Sequence, residues 1–201
     1  MITTIGSGFS IINNDGQFPQ EELVTLVNVM RTEVFQKRCD ALAKCIHIER
    51  ILGNFINYFF NIGEPEKQVI FTQLIGTESF FSFRIRKQIV VSLIKDNPQY
   101  FQNIVNKDQI KIFANTVQNI IDIRNLLAHG ELLLDLKEKN FKIVKYSLDD
   151  LETKTKTLDS KFFEKFDADI QFIIAFCMAY QVAYSDTVRN RNVGIEKEKK
   201  L

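Results

Sequence analysis

From about residue 20 to residue 60 apolar side chains recur at three- and four-residue steps with almost no interruption. The series runs through Leu23, Leu26, Val27, Met30, Val34 and Phe35, then Leu42, Cys45, Ile46, Ile48, Ile51, Leu52, Phe55 and Phe59. A period of about 3.6 places such residues along one side of an α-helix. The run predicts one very long helix, or two helices with a bend. Pro19 followed by Glu21 and Glu22 is helix-start chemistry, because proline fits the first turn and carboxylates favour the positive end of the helix dipole. Gly63, Glu64 and Pro65 close the run. A helix this long needs partners along its whole apolar side, which constrains everything that follows it.

The next segments keep the helical period. A short helix is expected near residues 66–74, ended by Gly76. Another is expected over 79–95, stopped by Asn97 and Pro98. A brief helical turn over 99–105 leads to Asn106, a natural N-cap for a helix over 107–129. Gly130 then supplies the residue just past its C-terminus. Beyond Gly130 the period changes. Residues 132–136 and 141–146 surround Lys137-Glu138-Lys139-Asn140 and predict a β-hairpin. Residues 147–159 are polar, with Lys and Thr alternating, and read as a loop. Asp159 or Ser160 can cap a last long helix from 161 to about 189. The expected fold class is all-α: a bundle of about five main helices with a small β-hairpin inserted before the last. It forms a single domain over residues 19–189, with the hairpin at about 132–146. Residues 1–18 predict a flexible arm with one short strand at 9–12, and 190–201 a charged tail.

Composition narrows the class. Of 201 residues, 45% are hydrophobic and 25% charged, an ordinary globular balance. The net charge of +1 leaves out the strongly basic footprint of a duplex-DNA binder. Cys39, Cys45 and Cys177 form no CxxC pair, and their odd number argues against a disulfide framework. Cys45 and Cys177 lie in apolar helical surroundings and read as buried free thiols. The N-terminus has no basic segment leading into an apolar one, and no apolar run approaches the roughly 20 residues of a membrane helix. The expected location is cytoplasmic, with no membrane contact. No P-loop, dinucleotide fingerprint or Ser-His-Asp order is present, so no cofactor is expected. With two histidines and no cysteine cluster, no metal site is expected either.

The chemistry-bearing stretch is Arg124-Asn125-Leu126-Leu127-Ala128-His129-Gly130. An always-charged guanidinium and an imidazole can together hold a phosphate and move a proton. On a helical wheel Ile112, Phe113, Val117, Ile120, Ile121, Leu127 and Ala128 form a wide apolar face. Arg124 falls inside it, between Val117 and Ile120. A buried arginine needs a carboxylate partner, or its face is an interface or cleft. His129 lies roughly 140° further round a regular helix, and Asn125 shares its side. Either the last turn distorts near Gly130, or two copies of the helix meet. The negative end of the helix dipole favours a cationic side chain at this position. The plain alternative is an arginine that binds carbonyls and a histidine that caps.

The string RNLLAHG resembles the signature of the HEPN superfamily, an Arg followed four to six residues later by His, with Arg-Asn and Ala-His-Gly in its commoner form. Upstream, Gly76-Thr77-Glu78-Ser79-Phe80-Phe81-Ser82-Phe83-Arg84-Ile85 is similar to a segment of the mannitol-operon-repressor-like branch of that scaffold. The resemblance covers about residues 35–190. It implies a metal-independent endoribonuclease with Arg124 and His129 as the catalytic pair and Asn125 supporting their geometry. It also implies a homodimer with both motifs facing one cleft, an RNA substrate, a toxin or anti-phage defence role, and an antitoxin protein as a possible partner. Arg84 and Lys87, beside the aromatic cluster, are candidates for RNA phosphate, and Arg86 lies between them. The alternative is a non-catalytic helical dimer that regulates or binds, in which Arg124 and His129 are structural. His47 reads as a structural, hydrogen-bonded histidine. Asp149-Asp150 and the pair Asp167 and Asp169 read as capping and solubility groups.

Overall fold

The long apolar run folds as one helix. α1 spans Gln20–Asn61, 42 residues with no proline to break it. Among the described residues its buried apolar side chains are Val27, Val34, Ala41, Cys45, Ile48, Leu52, Phe55 and Ile56, at the helical period the sequence predicted, whereas Ile46 of the predicted series is exposed. These positions come from a computed structural model, which describes residues 2–4, 9–12, 20–61, 64–74, 82–98, 106–138, 140–146 and 153–198.

Four more helices follow: α2 (Pro65–Leu74), α3 (Phe83–Asp96), α4 (Lys107–His129) and α5 (Ser160–Glu198). Their starts are set by side chains. Ser82 caps α3 by accepting from the Ile85 amide. Asn106 accepts from the Gln109 amide at 2.9 Å while Gln109 accepts from the Asn106 amide at 3.1 Å, a reciprocal capping box. Of the two residues that could cap α5, Asp159 does so, accepting from the Phe162 amide at 2.8 Å. The helical turn expected over 99–105 lies outside the described residues. α5 runs past the expected end near 189 to Glu198.

Between α4 and α5 lie three antiparallel strands, β3 (Glu131–Asp135), β4 (Asn140–Tyr146) and β5 (Thr153–Thr157). The predicted hairpin is β3 and β4, with Leu132 opposite Ile143 and Leu134 opposite Phe141. β5 overturns the expectation of a loop over 147–159. Its alternating Thr and Lys have the period of a strand, and lysine suits a sheet edge because it deters further pairing. The arm also contributes. β2 (Phe9–Ile12), the predicted strand, runs parallel to β3, and β1 (Ile2–Thr4) pairs with β2 to give the order β1-β2-β3-β4-β5. Among the described residues the chain is thus mostly helical, with five helices and a small sheet.

The chain forms two compact units, Met1–Cys45 with Asp122–Ala168, and Ile46–Ile121 with Asp169–Leu201. Their boundaries fall inside α1, α4 and α5. The first unit holds the sheet, with Leu132, Leu134, Ile143 and Leu158 buried. Exposed Lys44 and Asp167 pair at 2.6 Å. The second unit is all helix. Phe113 stacks on Phe176 at 4.2 Å between ring centres and Phe59 on Tyr184 at 4.6 Å. Tyr180 is fully buried. Asn119 donates to Asp169 at 2.9 Å. By length and composition alone, α5 over Ser160–Val188 does reach what a membrane crossing needs, unlike the sequence expectation. Its buried Phe166, Ile170, Ile173, Phe176, Cys177 and Tyr180 recur as in a helix set into a protein core.

Candidate functional site at the end of helix α4

Over its middle, α4 buries Phe113, Val117, Ile120 and Ile121. Ile112, which the wheel placed on the apolar face, is 53% exposed, because it lies at the margin of that face. In the last two turns the buried set becomes Ile123, Leu126 and Leu127. Arg124, Asn125 and Ala128 are there half-buried, and His129 is exposed. The side of the helix that is core around Val117 therefore opens at Arg124.

Arg124 donates from Nη1 to Asn125 Oδ1 at 3.3 Å. Among the described residues this is its one hydrogen bond, and no carboxylate lies within ion-pair distance. The carboxylate partner that a purely structural arginine would call for is not found there. Asn125 thus steadies Arg124, between it and His129 around the helix. His129 makes no hydrogen bond or ion pair among the described residues.

The last turn is regular. Helical geometry holds through His129, and the Gly130 amide donates to Leu126 O at 2.7 Å, the ordinary four-residue step. Helix distortion, one of two ways to bring Arg124 and His129 together, does not occur. Gly130 directly follows the helix, as the sequence predicted, and its backbone is not left-handed. It is buried, and a Cβ there would lie 2.5 Å from Ile143 Cγ1 and 2.6 Å from Leu126 O. Glycine is required because the Ile143 side chain of β4 and the Leu126 carbonyl leave no room for a Cβ. Glu131 then begins β3 at once.

A second arginine holds this helix end. Arg38 of α1 donates from Nε to Leu127 O at 2.6 Å and from Nη2 to Ala128 O and Gly130 O, each at 3.4 Å. Burial lowers its pKa below the ordinary guanidinium value. Sequence reading missed Arg38, although the signal was present. On the α1 wheel it falls beside Val34, Ala41 and Cys45, an arginine on a buried face like Arg124 on α4.

The other predicted contacts lie in the second unit. Arg84 is exposed on α3. Lys87 is half-buried and donates to Gln118 at 2.7 Å. Phe83, in the aromatic cluster, is buried and offers no face to a base; Phe80 and Phe81 lie outside the described residues. Arg86 is buried, with Nε 3.9 Å from Glu49 Oε1 and Nη1 3.5 Å from Glu49 O. His47 is exposed, with no hydrogen bond among the described residues, which corrects the expected hydrogen-bonded role. Its position on α1 lies roughly 140° round the helix from the buried line of Val34, Ala41, Cys45 and Leu52. Asp167 and Asp169 are the ion-pair and amide partners described above, and Asp149 and Asp150 lie outside the described residues.

The described residues define a mostly helical protein with an arginine and a histidine in the last two turns of one helix. Comparison with protein-family models, with curated proteins and with solved structures finds no match.

Proposed function

We propose that this protein is an endoribonuclease of HEPN type, with Arg124 and His129 as its catalytic pair. The observation that carries the reading is Arg124: a guanidinium on the core-facing side of α4, half-buried, with only Asn125 as polar partner among the described residues. A cation held in that state is available to an anion from outside the chain. The resemblance of RNLLAHG to the HEPN motif supports the same assignment.

His129 takes the proton from a ribose 2′-hydroxyl. The 2′-oxygen attacks the adjacent phosphorus, and the bond to the 5′-oxygen breaks. Arg124 stabilises charge growing on the non-bridging oxygens. The leaving 5′-oxygen takes up a proton, and the products are a 2′,3′-cyclic phosphate and a 5′-hydroxyl. DNA lacks the attacking group and is inert. A regular last turn keeps the two side chains roughly 140° apart, so the working cleft is shared by two copies of the chain. A toxin or defence role, with an antitoxin partner, belongs to the same reading.

The test is RNA cleavage at neutral pH in EDTA by the wild type, Arg124→Ala and His129→Ala. Cleavage by the wild type alone is expected. Cleavage that requires a metal, or that survives both substitutions, contradicts the proposal. A wild type without nuclease activity would point instead to a non-catalytic binding dimer.

A further inference from the structure

We infer that Arg38 is the positioning residue for His129. The inference rests on reading His129 as the base of an endoribonuclease. Arg38 donates to three carbonyls, those of Leu127, Ala128 and Gly130. They belong to residues immediately before and after His129, so one guanidinium grips the backbone on both sides of it. Those of Leu127 and Ala128 are carbonyls for which a helix end has no partner of its own.

The choice of arginine is costly, which is informative. Arg38 is half-buried and, among the described residues, has no carboxylate within ion-pair distance. The negative end of α4 supplies counter-charge to it. Glycine or a water could satisfy the same carbonyls without burying a cation. What the guanidinium adds is rigid, planar geometry, in which Nε and Nη2 fix the last turn in two places at once. Gly130, pressed beneath Ile143, locks the same turn from the sheet side. His129 itself has no side-chain anchor among the described residues, so its ring is placed by its backbone alone. General-base catalysis demands hydrogen-bond reach to one proton. The backbone clamp supplies that placement.

The test uses the full chain with Arg38→Lys and Arg38→Met. Lysine keeps the charge but can hold only one point, and it guards against loss of the fold in the methionine variant. Arg38→Lys should fold, and its kcat should fall between about ten- and a hundredfold with KM nearly unchanged, as for a misplaced catalytic group. With only two histidines, the ring signals of His129 can be read by NMR with His47 as internal reference. His129 signals should shift and broaden in Arg38→Lys while His47 signals stay in place. An unchanged kcat with unmoved His129 signals overturns the inference. A loss confined to KM also overturns it, because it would make Arg38 a substrate contact. If the wild type cleaves no RNA, the nuclease reading fails, and the NMR comparison decides the role of Arg38 alone.

Discussion

Gly130 lies so close to Ile143 that a Cβ on the glycine would be 2.5 Å from Ile143 Cγ1. The end of the helix carrying Arg124 and His129 is thereby packed against the Ile143 side chain of β4. The second nominal contact, 2.6 Å to Leu126 O, is with backbone and cannot retreat. Gly130→Ala should cost about 1–3 kcal/mol, as overpacking does. Gly53 offers a control. A Cβ there would meet Arg86 Nη1 at the same 2.5 Å, but that atom is the tip of a flexible side chain. Alanine also gains about 0.5–1 kcal/mol over glycine inside a helix. Urea denaturation should therefore show Gly130→Ala clearly destabilised and Gly53→Ala near wild type. Equal losses at both positions would contradict the steric account.

The thiols should separate by reactivity. Cys39 is exposed, whereas Cys45 and Cys177 are buried. Burial pushes the Cys177 thiol up to about 12. Since the thiolate is the reactive form, Cys177 is inert at neutral pH in the folded protein. Titration with a chromogenic disulfide reagent should give one fast thiol in the native state and three after unfolding. Two or more fast native thiols would mean that the helices around Cys45 and Cys177 open readily.

The hairpin should show a pH plateau. Lys142 donates to buried Asp135 at 2.9 Å and lies 3.0 Å from Glu138. The hydrogen bond to Asp135, with that to Glu138, raises the Lys142 pKa above its ordinary 10.5. Hydrogen bonds from Lys142 and Asn140 hold Glu138 below its ordinary 4.5. A raised ammonium contributes fully below 10.5 and loses its contribution as pH climbs through the folded value. A lowered carboxyl contributes above 4.5 and loses its share as pH falls through its folded value. The Tm difference between wild type and Lys142→Met should be constant between 4.5 and 10.5 and shrink on either side. A difference that persists unchanged into strong alkali would show that packing, not charge, carries it.

If two chains build one cleft, inactive variants should complement each other. Arg124→Ala keeps His129, and His129→Ala keeps Arg124. After unfolding and refolding together, mixed dimers would hold one intact pair drawn from both chains. Activity should return to a fraction of wild type. A mixture as inactive as its components would place each working pair within a single chain.

Much of this architecture is legible in the sequence, and the exceptions share a cause. The period of α1, the Asn106 cap, the Phe9–Ile12 strand and the hairpin are local signals, and each is found where predicted. The Thr-Lys alternation of β5 was equally visible but polar, and only its pairing with β4 makes it a strand. Gly130 carries a signal that reads as a helix terminator, yet its need comes from Ile143, thirteen residues on and unseen in any local pattern. Arg124, Asn125 and His129 could be named from seven consecutive residues. Arg38 reaches the same helix end, at Leu127 O, from 89 residues away, and only the helical wheel of α1 would have singled it out.

The central claim is that His129 and Arg124 drive attack by a ribose 2′-hydroxyl. The most direct measurement is end-group analysis on a DNA oligonucleotide carrying one ribonucleotide, treated with the wild-type protein in EDTA. The account predicts a single cut on the 3′ side of that ribonucleotide, with a 2′,3′-cyclic phosphate and a 5′-hydroxyl at the new ends, and no cut in the all-deoxy strand. Ends bearing a 3′-hydroxyl and a 5′-phosphate, or cleavage of the all-deoxy strand, would contradict it.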